Sequence, residues 1–163
     1  RDPTRTMPEN PKFLVAPADG KVVRIKTISD AEVGSSVTLI SIFLNVFNVH
    51  ANRMPLDGTI RKVDYKPGKF LAAFDHAASD VNEQTEILIQ GEKGLFKVKQ
   101  IAGLIARRIL CYGKPGETLQ RGERLGFILF GSRTDIILPA SVSVKIELGD
   151  STKGGETILG EWT

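Results

Sequence analysis

Three segments that lie far apart in the sequence carry an acid, an imidazole and a hydroxyl. Asp19 lies in a turn between two apolar runs, His50 lies among asparagine and aromatic residues, and Ser132 directly follows a glycine. A serine hydroxyl becomes a nucleophile when a base takes its proton, and histidine exchanges protons near neutral pH. The preceding residue, Gly131, has no side chain that would crowd an attack on its carbonyl carbon. These residue types permit acid–base and nucleophilic chemistry at a serine.

Each of these residues also has an ordinary structural explanation. Aspartate before glycine is common in turns, because its carboxylate accepts hydrogen bonds from nearby backbone amides. A single histidine near a strand end is more often structural, and a Gly-Ser pair is a common turn. The other histidine, His76, has no obvious catalytic neighbours in the sequence, so we interpret it as a structural or surface residue. The residue types alone indicate a β-rich protein and leave its function open.

Composition narrows the classes of protein to which the chain can belong. Its 163 residues, 41% of them hydrophobic and 25% charged, predict one folded domain over residues 1–163. The net charge of +3 suits an anionic membrane surface and is too small to indicate nucleic acid binding. Cys111 is the only cysteine, which excludes an internal disulfide, and we predict no metal site. Because the sequence begins at Arg1 without a methionine, we expect a preceding segment that can hold a membrane anchor.

Short apolar runs separated by glycine and proline predict a mainly β fold. We expect an antiparallel β-sandwich or barrel-like single domain with one or two short helices. In residues 96–101 the apolar and basic side chains fall on opposite strand faces, and residues 92–94 are predicted to form a hairpin turn. The predicted strands cover residues 13–16, 21–27, 36–44, 58–65, 85–90, 94–101, 124–130, 134–138 and 142–148.

Three other segments have less regular patterns. Residues 69–78 are rich in alanine and predict two or three helical turns. Residues 101–111 fit a buried strand or a helix, and we favour a strand because isoleucine and leucine dominate. Residues 149–163 are polar and rich in glycine, so we expect a frayed tail.

Six segments, in this order, resemble the phosphatidylserine decarboxylase family of the short type, and the similarity runs almost from end to end. They read RDPTRTMP, APADGKV, FNVHANRMPLDG, KPGKFLAAFDHAASDVNEQTEI, IAGLIARRI and GERLGFILFGS. The resemblance implies a pyruvoyl-dependent lyase that converts phosphatidylserine to phosphatidylethanolamine and carbon dioxide. It also implies that the chain cuts itself between Gly131 and Ser132, giving a large chain of residues 1–131 and a small chain of residues 132–163 that stay folded together.

The family precedent implies a role for each candidate residue. The Ser132 hydroxyl attacks the carbonyl of Gly131 and residue 132 becomes the pyruvoyl cofactor, which forms a Schiff base with the substrate amine. Asp19 orients His50, which takes the proton from Ser132 and later protonates the substrate carbanion. Longer members carry a second histidine where this chain has Arg53. His50 is therefore implied as the base because it is the only imidazole in the motif, and Arg53 is implied to bind the substrate carboxylate or phosphate.

The resemblance also implies partners and a location. An aminophospholipid substrate lies in a bilayer, so we expect peripheral docking on the cytoplasmic face of the cell membrane. Phe70, Leu71 and Phe74 are predicted either to dip into the interface beside Lys66 and Lys69 or to pack in the core. The sequence leaves a homodimer open.

Two alternative functions also stay open. Archaetidylserine has the same headgroup chemistry as phosphatidylserine, so the sequence does not separate the two substrates. A non-catalytic carrier similar to the hammerhead domains that bear biotin or lipoate needs a lysine at a hairpin tip, whereas Lys21 lies at a strand start. A carrier would remain one chain, and the lyase would split into two.

Overall fold

Strands make up most of the computed structural model, which describes residues 4–44, 51–104, 109–128 and 132–163. The predicted mainly β fold with one or two short helices is confirmed, and the described residues form one short helix. In chain order, the strands are Phe13–Val15 (β1), Gly20–Asp30 (β2), Gly34–Leu44 (β3), Ala51–Arg53 (β4), Gly58–Lys66 (β5), Gln84–Gln90 (β6), Leu95–Ile101 (β7), Ile109–Cys111 (β8), Thr118–Leu119 (β9), Arg124–Ile128 (β10), Ser132–Leu138 (β11), Val142–Val144 (β12), Ser151–Thr152 (β13) and Ile158–Trp162 (β14), and the helix is Ala78–Val81 (α1).

Eight of these strands form one antiparallel sheet that curls into a half-barrel. Their order is β13-β2-β3-β11-β7-β6-β5-β9. Side chains alternate between its two faces, as the period of a strand requires. Ile40, Ile42 and Leu44 of β3 enter the main core, and we call their side the inner face. Leu39 of the same strand belongs to a smaller apolar cluster on the opposite, outer face.

β11 is an interior strand of this sheet. It pairs with β3 from Ser132 opposite Leu44 to Leu138 opposite Thr38, and with β7 on its other side. All seven of its residues are buried. The segment that begins at the predicted cleavage site is therefore held by two hydrogen-bonded ladders.

Two three-stranded sheets close the inner face. Their orders are β4-β10-β8 and β1-β14-β12. β14 is the middle strand of the second sheet, and its Trp162 is only 2% exposed. The prediction that residues 149–163 fray is therefore wrong, because Leu159 and Trp162 anchor a tail whose other residues are mostly polar.

The alanine-rich segment does not form the predicted helix. Its backbone is held instead by Asn82, whose side chain accepts from the N–H of Leu71 and donates to the carbonyl of Leu71, both at 2.9 Å. The N–H of Lys69 also donates to the carbonyl of Val81 at 2.8 Å. These tertiary bonds override the helix propensity of alanine, and the helix begins only at Ala78.

The remaining local predictions have mixed outcomes. The hairpin turn at residues 92–94 is confirmed, because the N–H of Gly91 donates to the carbonyl of Gly94 between β6 and β7. Within residues 101–111, β7 ends at Ile101 and β8 begins at Ile109, while residues 105–108 lie outside the described residues. Among the described residues, no helix is long and apolar enough to cross a membrane.

Candidate active site

One end of the eight-stranded sheet gathers the elements that the sequence predicted to react. β11 begins there at Ser132, opposite Leu44, where β3 ends. On the other side β7 ends, with Ile101 opposite Arg133. β2 begins at Gly20 on the far side of β3. We call this region the Ser132 end of the sheet.

The Ser132 side chain is fully buried, and its Oγ atom makes no hydrogen bond within the described part of the chain. It lies on the inner face of β11 together with Thr134, two residues further on. Leaving a buried hydroxyl unpaired costs about 1–3 kcal/mol, so such a group in a native structure requires an explanation. A buried hydroxyl without a hydrogen-bond partner among the described residues fits both a nucleophile and the precursor of a pyruvoyl group.

A row of buried polar side chains crosses the inner face of β11. Nδ2 of Asn52 donates to Oγ1 of Thr134 at 3.1 Å, and Nε2 of Gln100 donates to Oδ1 of Asn52 at 2.9 Å. All three side chains are fully buried. Gly126 makes this row possible, because a Cβ atom there would lie 2.3 Å from Nε2 of Gln100. The row fixes Asn52, two residues after His50 in the sequence, against the strand that begins at Ser132.

Asp19 precedes β2, and both of its carboxylate oxygens are engaged. Oδ2 accepts from Nη2 of Arg5 at 2.8 Å, and Oδ1 accepts from the N–H of Gly154 at 2.7 Å. The side chains of Arg5 and Asp19 are 9% and 16% exposed, so water screens the pair only partly. Each carboxylate oxygen can accept a second hydrogen bond, which leaves capacity for an imidazole N–H.

Arg53 lies beside the Asp19 turn. Its Nη1 donates to the carbonyl of Gly122 at 2.8 Å, and its main-chain N–H donates to the carbonyl of Pro17 at 2.8 Å. Gly155, which has a positive φ of 82°, allows this approach, because a Cβ atom there would lie 3.2 Å from Cδ of Arg53. The structure therefore brings two of the predicted site residues, Asp19 and Arg53, onto one side of the site.

Ser132 lies on the other side of β3 from this pair. Two strand spacings of about 4.8 Å separate the backbones of β2 and β11, which amounts to about 10 Å. His50 and Gly131 lie outside the described residues, so their roles stay predictions. In the sequence, the six residues before Ala51 join β3 to β4. β3 ends opposite Ser132, and β4 is bonded both to β11, through Asn52, and to the Asp19 turn, through Arg53.

Sequence reasoning missed two arginines at the Ser132 end. Arg5 lies in the RDPTRTMP segment, but its carboxylate partner is 14 residues away in the sequence. Arg133 is fully buried on the outer face, where it forms an ion pair with the equally buried Asp135 and contacts Nδ1 of His76. The available signal was a pair of opposite charges, two residues apart, at the start of a strand that continues into the apolar residues Ile136, Ile137 and Leu138. The interpretation of His76 as structural or surface agrees with its exposed side chain, but it does have this partner.

Exposed apolar side chains also lie at the Ser132 end. Phe74 is 68% exposed, and its ring contacts the edge of the Phe43 ring at a centroid distance of 6.3 Å. Phe70 and Leu71, which the sequence grouped with Phe74, are half-buried. Three further side chains are exposed: Tyr65 near the end of β5, Val81 at the end of α1 and Leu104 three residues after β7.

No group of three or more metal-binding side chains is found in residues 4–44, 51–104, 109–128 and 132–163. The site instead offers a sheltered hydroxyl, a fixed carboxylate and a cationic side chain. This set suits acyl transfer at a serine and recognition of an anionic substrate.

Comparisons with known proteins identify the family of the chain. Residues 1–160 match the family model described as phosphatidylserine decarboxylase. The chain is 46% identical over 159 residues to a protein of Chlorobium limicola named phosphatidylserine decarboxylase proenzyme, covering 98% of this chain and 75% of the relative. It is 48% identical over 162 residues to a protein of the same name from Burkholderia cenocepacia, covering 99% and 76%. The chain therefore belongs to the phosphatidylserine decarboxylase family.

Proposed function

We propose that this decarboxylase converts phosphatidylserine to phosphatidylethanolamine and carbon dioxide, using a pyruvoyl group that it makes from its own Ser132. The observation that carries the proposal is the buried hydroxyl of Ser132, which has no hydrogen-bond partner among the described residues and lies at the first position of an interior strand. The names of the relatives, which include the word proenzyme, support the same reading.

The self-cleavage step needs only this chain and water. The hydroxyl of Ser132 attacks the carbonyl carbon of Gly131, and an ester replaces the amide. Loss of the proton on Cα of residue 132 then expels the Gly131 carboxylate and leaves dehydroalanine. This group tautomerises to an imine, and one water molecule converts the imine to a pyruvoyl carbonyl and ammonia. When formed, the pyruvoyl group supplies a carbonyl for the substrate amine and an electron sink for decarboxylation.

Asp19 and His50 are the proposed acid–base pair. Arg5 and the Gly154 amide hold the Asp19 carboxylate in one orientation, so an imidazole that reaches it meets a fixed acceptor. We assign His50 as the group that takes the hydroxyl proton of Ser132 and later protonates the substrate carbanion.

Arg53 and the exposed apolar side chains are the proposed contacts with the lipid. The guanidinium of Arg53 suits the phosphate or the carboxylate of the substrate. Phe74 lies at the Ser132 end and is close in sequence to the cationic side chains of Lys66 and Lys69. An aromatic ring beside cations favours the interface of an anionic bilayer, which supports docking at the cytoplasmic face of the membrane.

Intact mass measurement of the purified protein tests the proposal. Wild type should give a large chain that ends at Gly131 and a small chain of residues 132–163 whose first residue has lost its amine nitrogen. Ser132→Ala should stay in one piece and lack activity, and His50→Ala should be cut slowly or not at all. Ser143→Ala is the matched control, because Ser143 is exposed on β12, and this variant should be cut at the wild-type rate. An uncut wild-type chain with an ordinary serine at position 132 would refute the proposal.

A further inference from the structure

Arg133 has an unusual environment for an arginine on the outer face of a sheet. Its side chain is 0% exposed, and Nε lies 3.2 Å from Oδ1 of Asp135. Nη1 donates to the carbonyl of Ala73 at 3.2 Å and to the carbonyl of Asp75 at 3.4 Å. Both terminal nitrogens lie 3.2 Å from Nδ1 of His76. Apart from Asp135, every one of these partners belongs to the segment that covers the outer face.

That segment, residues 72–77, has few other hydrogen bonds to the sheet. The backbone hydrogen bonds of these described residues are local, such as that from the N–H of Asp75 to the carbonyl of Ala72 at 2.9 Å. The ring contact between Phe74 and Phe43 is its other described contact with the sheet. Within the described residues, the guanidinium of Arg133 is thus the main polar connection between this segment and β11.

We propose that Arg133 is a positioning residue. Its guanidinium connects residues 73–76 to β11 directly after residue 132, and this connection holds residue 132 in its reactive orientation. The inference rests on the proposed function, because it concerns the residue that becomes the pyruvoyl group. A cut before Ser132 would make that residue a chain end, and chain ends fray unless they are tied down. The adjacent Arg133 is fixed on one side by the ladders to β3 and β7 and on the other by its buried guanidinium.

The His76 part of this connection depends on protonation. Arginine only donates hydrogen bonds, so Nδ1 of His76 must accept and its proton must lie on Nε2. Burial and the positive charge of Arg133 lower the pKa of His76, Arg24 acts in the same direction, and Asp75 and Asp135 act against them. A second proton on the ring would remove the acceptor and place two cations side by side, so protonation of His76 would weaken the connection, whereas the bonds to the carbonyls of Ala73 and Asp75 do not depend on it.

A double variant tests the positioning role of Arg133 without leaving a buried charge unpaired. Arg133→Met alone would leave the Asp135 carboxylate buried without its cation, and the protein would be at risk of unfolding. Arg133→Met with Asp135→Leu removes both charges at similar volume. Arg121→Met is the matched control, because Arg121 also donates to main-chain carbonyls, those of Pro8, Asn10 and Phe13, but on the N-terminal segment.

Three readouts apply to each variant: the rate of self-cleavage by mass, kcat and KM on phosphatidylserine vesicles, and the rate at which trypsin cuts after Lys69. We expect the double variant to lose about tenfold or more in cleavage rate and kcat and to be cut faster by trypsin, and KM on vesicles should rise because Phe74 lies in the released segment. The Arg121→Met control should change each readout by less than about twofold. A folded double variant that matches this control in all three readouts would overturn the inference.

Substitutions at His76 keep the inference testable if the double variant does not fold. His76→Leu should slow cleavage and turnover, and His76→Gln should restore them, because the amide oxygen accepts from Arg133 without titrating. Wild-type kcat should fall more than that of His76→Gln between about pH 7 and about pH 5.5. Equal behaviour of His76→Leu and wild type would contradict the inference. If wild type is never cut, the proposed function fails. The trypsin measurement still tests the connection between Arg133 and residues 73–76, and an unchanged trypsin rate in His76→Leu would reject it.

Discussion

Replacing Trp162 by alanine should show that the C-terminal tail is part of the core. The indole is 2% exposed and meets the ring of Phe96 edge-on, with centroids 6.2 Å apart. A Cβ atom at Gly94 would lie only 3.2 Å from the indole, which shows how closely the surroundings fit it. Truncating a buried tryptophan to alanine costs about 3–5 kcal/mol, of which the aromatic pair contributes about 0.5–1.5 kcal/mol. We expect a loss of that size in the free energy of unfolding.

Urea unfolding followed by far-UV circular dichroism measures this loss, since Trp162 is the only tryptophan and its fluorescence disappears with the substitution. Both variants are made in a Ser132→Ala background, so that the unfolding species is a single chain. Leu148→Ala is the control, because Leu148 is 66% exposed in the same region, and it should change the free energy by no more than about 0.5 kcal/mol. A loss below about 1 kcal/mol for Trp162→Ala would mean that the tail is peripheral.

Two further predictions concern the outer face and the membrane. Burial raises the pKa values of Asp30 and Glu86, but opposing interactions leave both below their usual range. Backbone hydrogen bonds from Val33 and Glu32 and then Lys97 lower the pKa of Asp30, and Lys66, Lys99 and Lys97 lower that of Glu86. The stabilisation from these carboxylates is therefore present at neutral pH and is lost as the pH falls through the folded pKa values. Lys97→Met should therefore cost about 1–3 kcal/mol at pH 7 and clearly less at about pH 3, as measured by urea unfolding; an equal cost at both pH values would contradict the electrostatic origin. Phe74→Ser should weaken binding to anionic vesicles about tenfold in a sedimentation assay without lowering the urea midpoint, and unchanged binding would remove Phe74 from the docking surface.

Local sequence patterns predicted the strands well because each strand has one face in the core. Residues 96–101 show this, since Phe96 and Val98 enter the main core while Lys97 joins the outer-face ion pairs. Patterns failed where distant partners decide the structure. The alanine-rich segment is held in a non-helical form by Asn82 and Arg133, and neither contact can be inferred from alanine content.

The candidate site was predictable to a similar extent. The family resemblance indicated Asp19, Arg53 and Ser132, because each of them lies in a motif that is one continuous stretch of the sequence. It did not reveal Arg5 or Arg133, whose roles depend on which strands lie side by side. Pairing of β11 with β3 and β7 joins residues from 32 positions apart (Arg133 and Ile101) to 100 positions apart (Leu138 and Thr38), and no local preference specifies such long-range neighbours.

The interior position of β11 also bears on aggregation. A strand at the margin of a sheet presents unpaired N–H and C=O groups that can recruit a strand from another molecule. A break in the main chain just before Ser132 falls at the end of a strand whose two long sides are already occupied by β3 and β7. Maturation by such a break would therefore create two polypeptides without uncovering any new surface for strand addition between molecules.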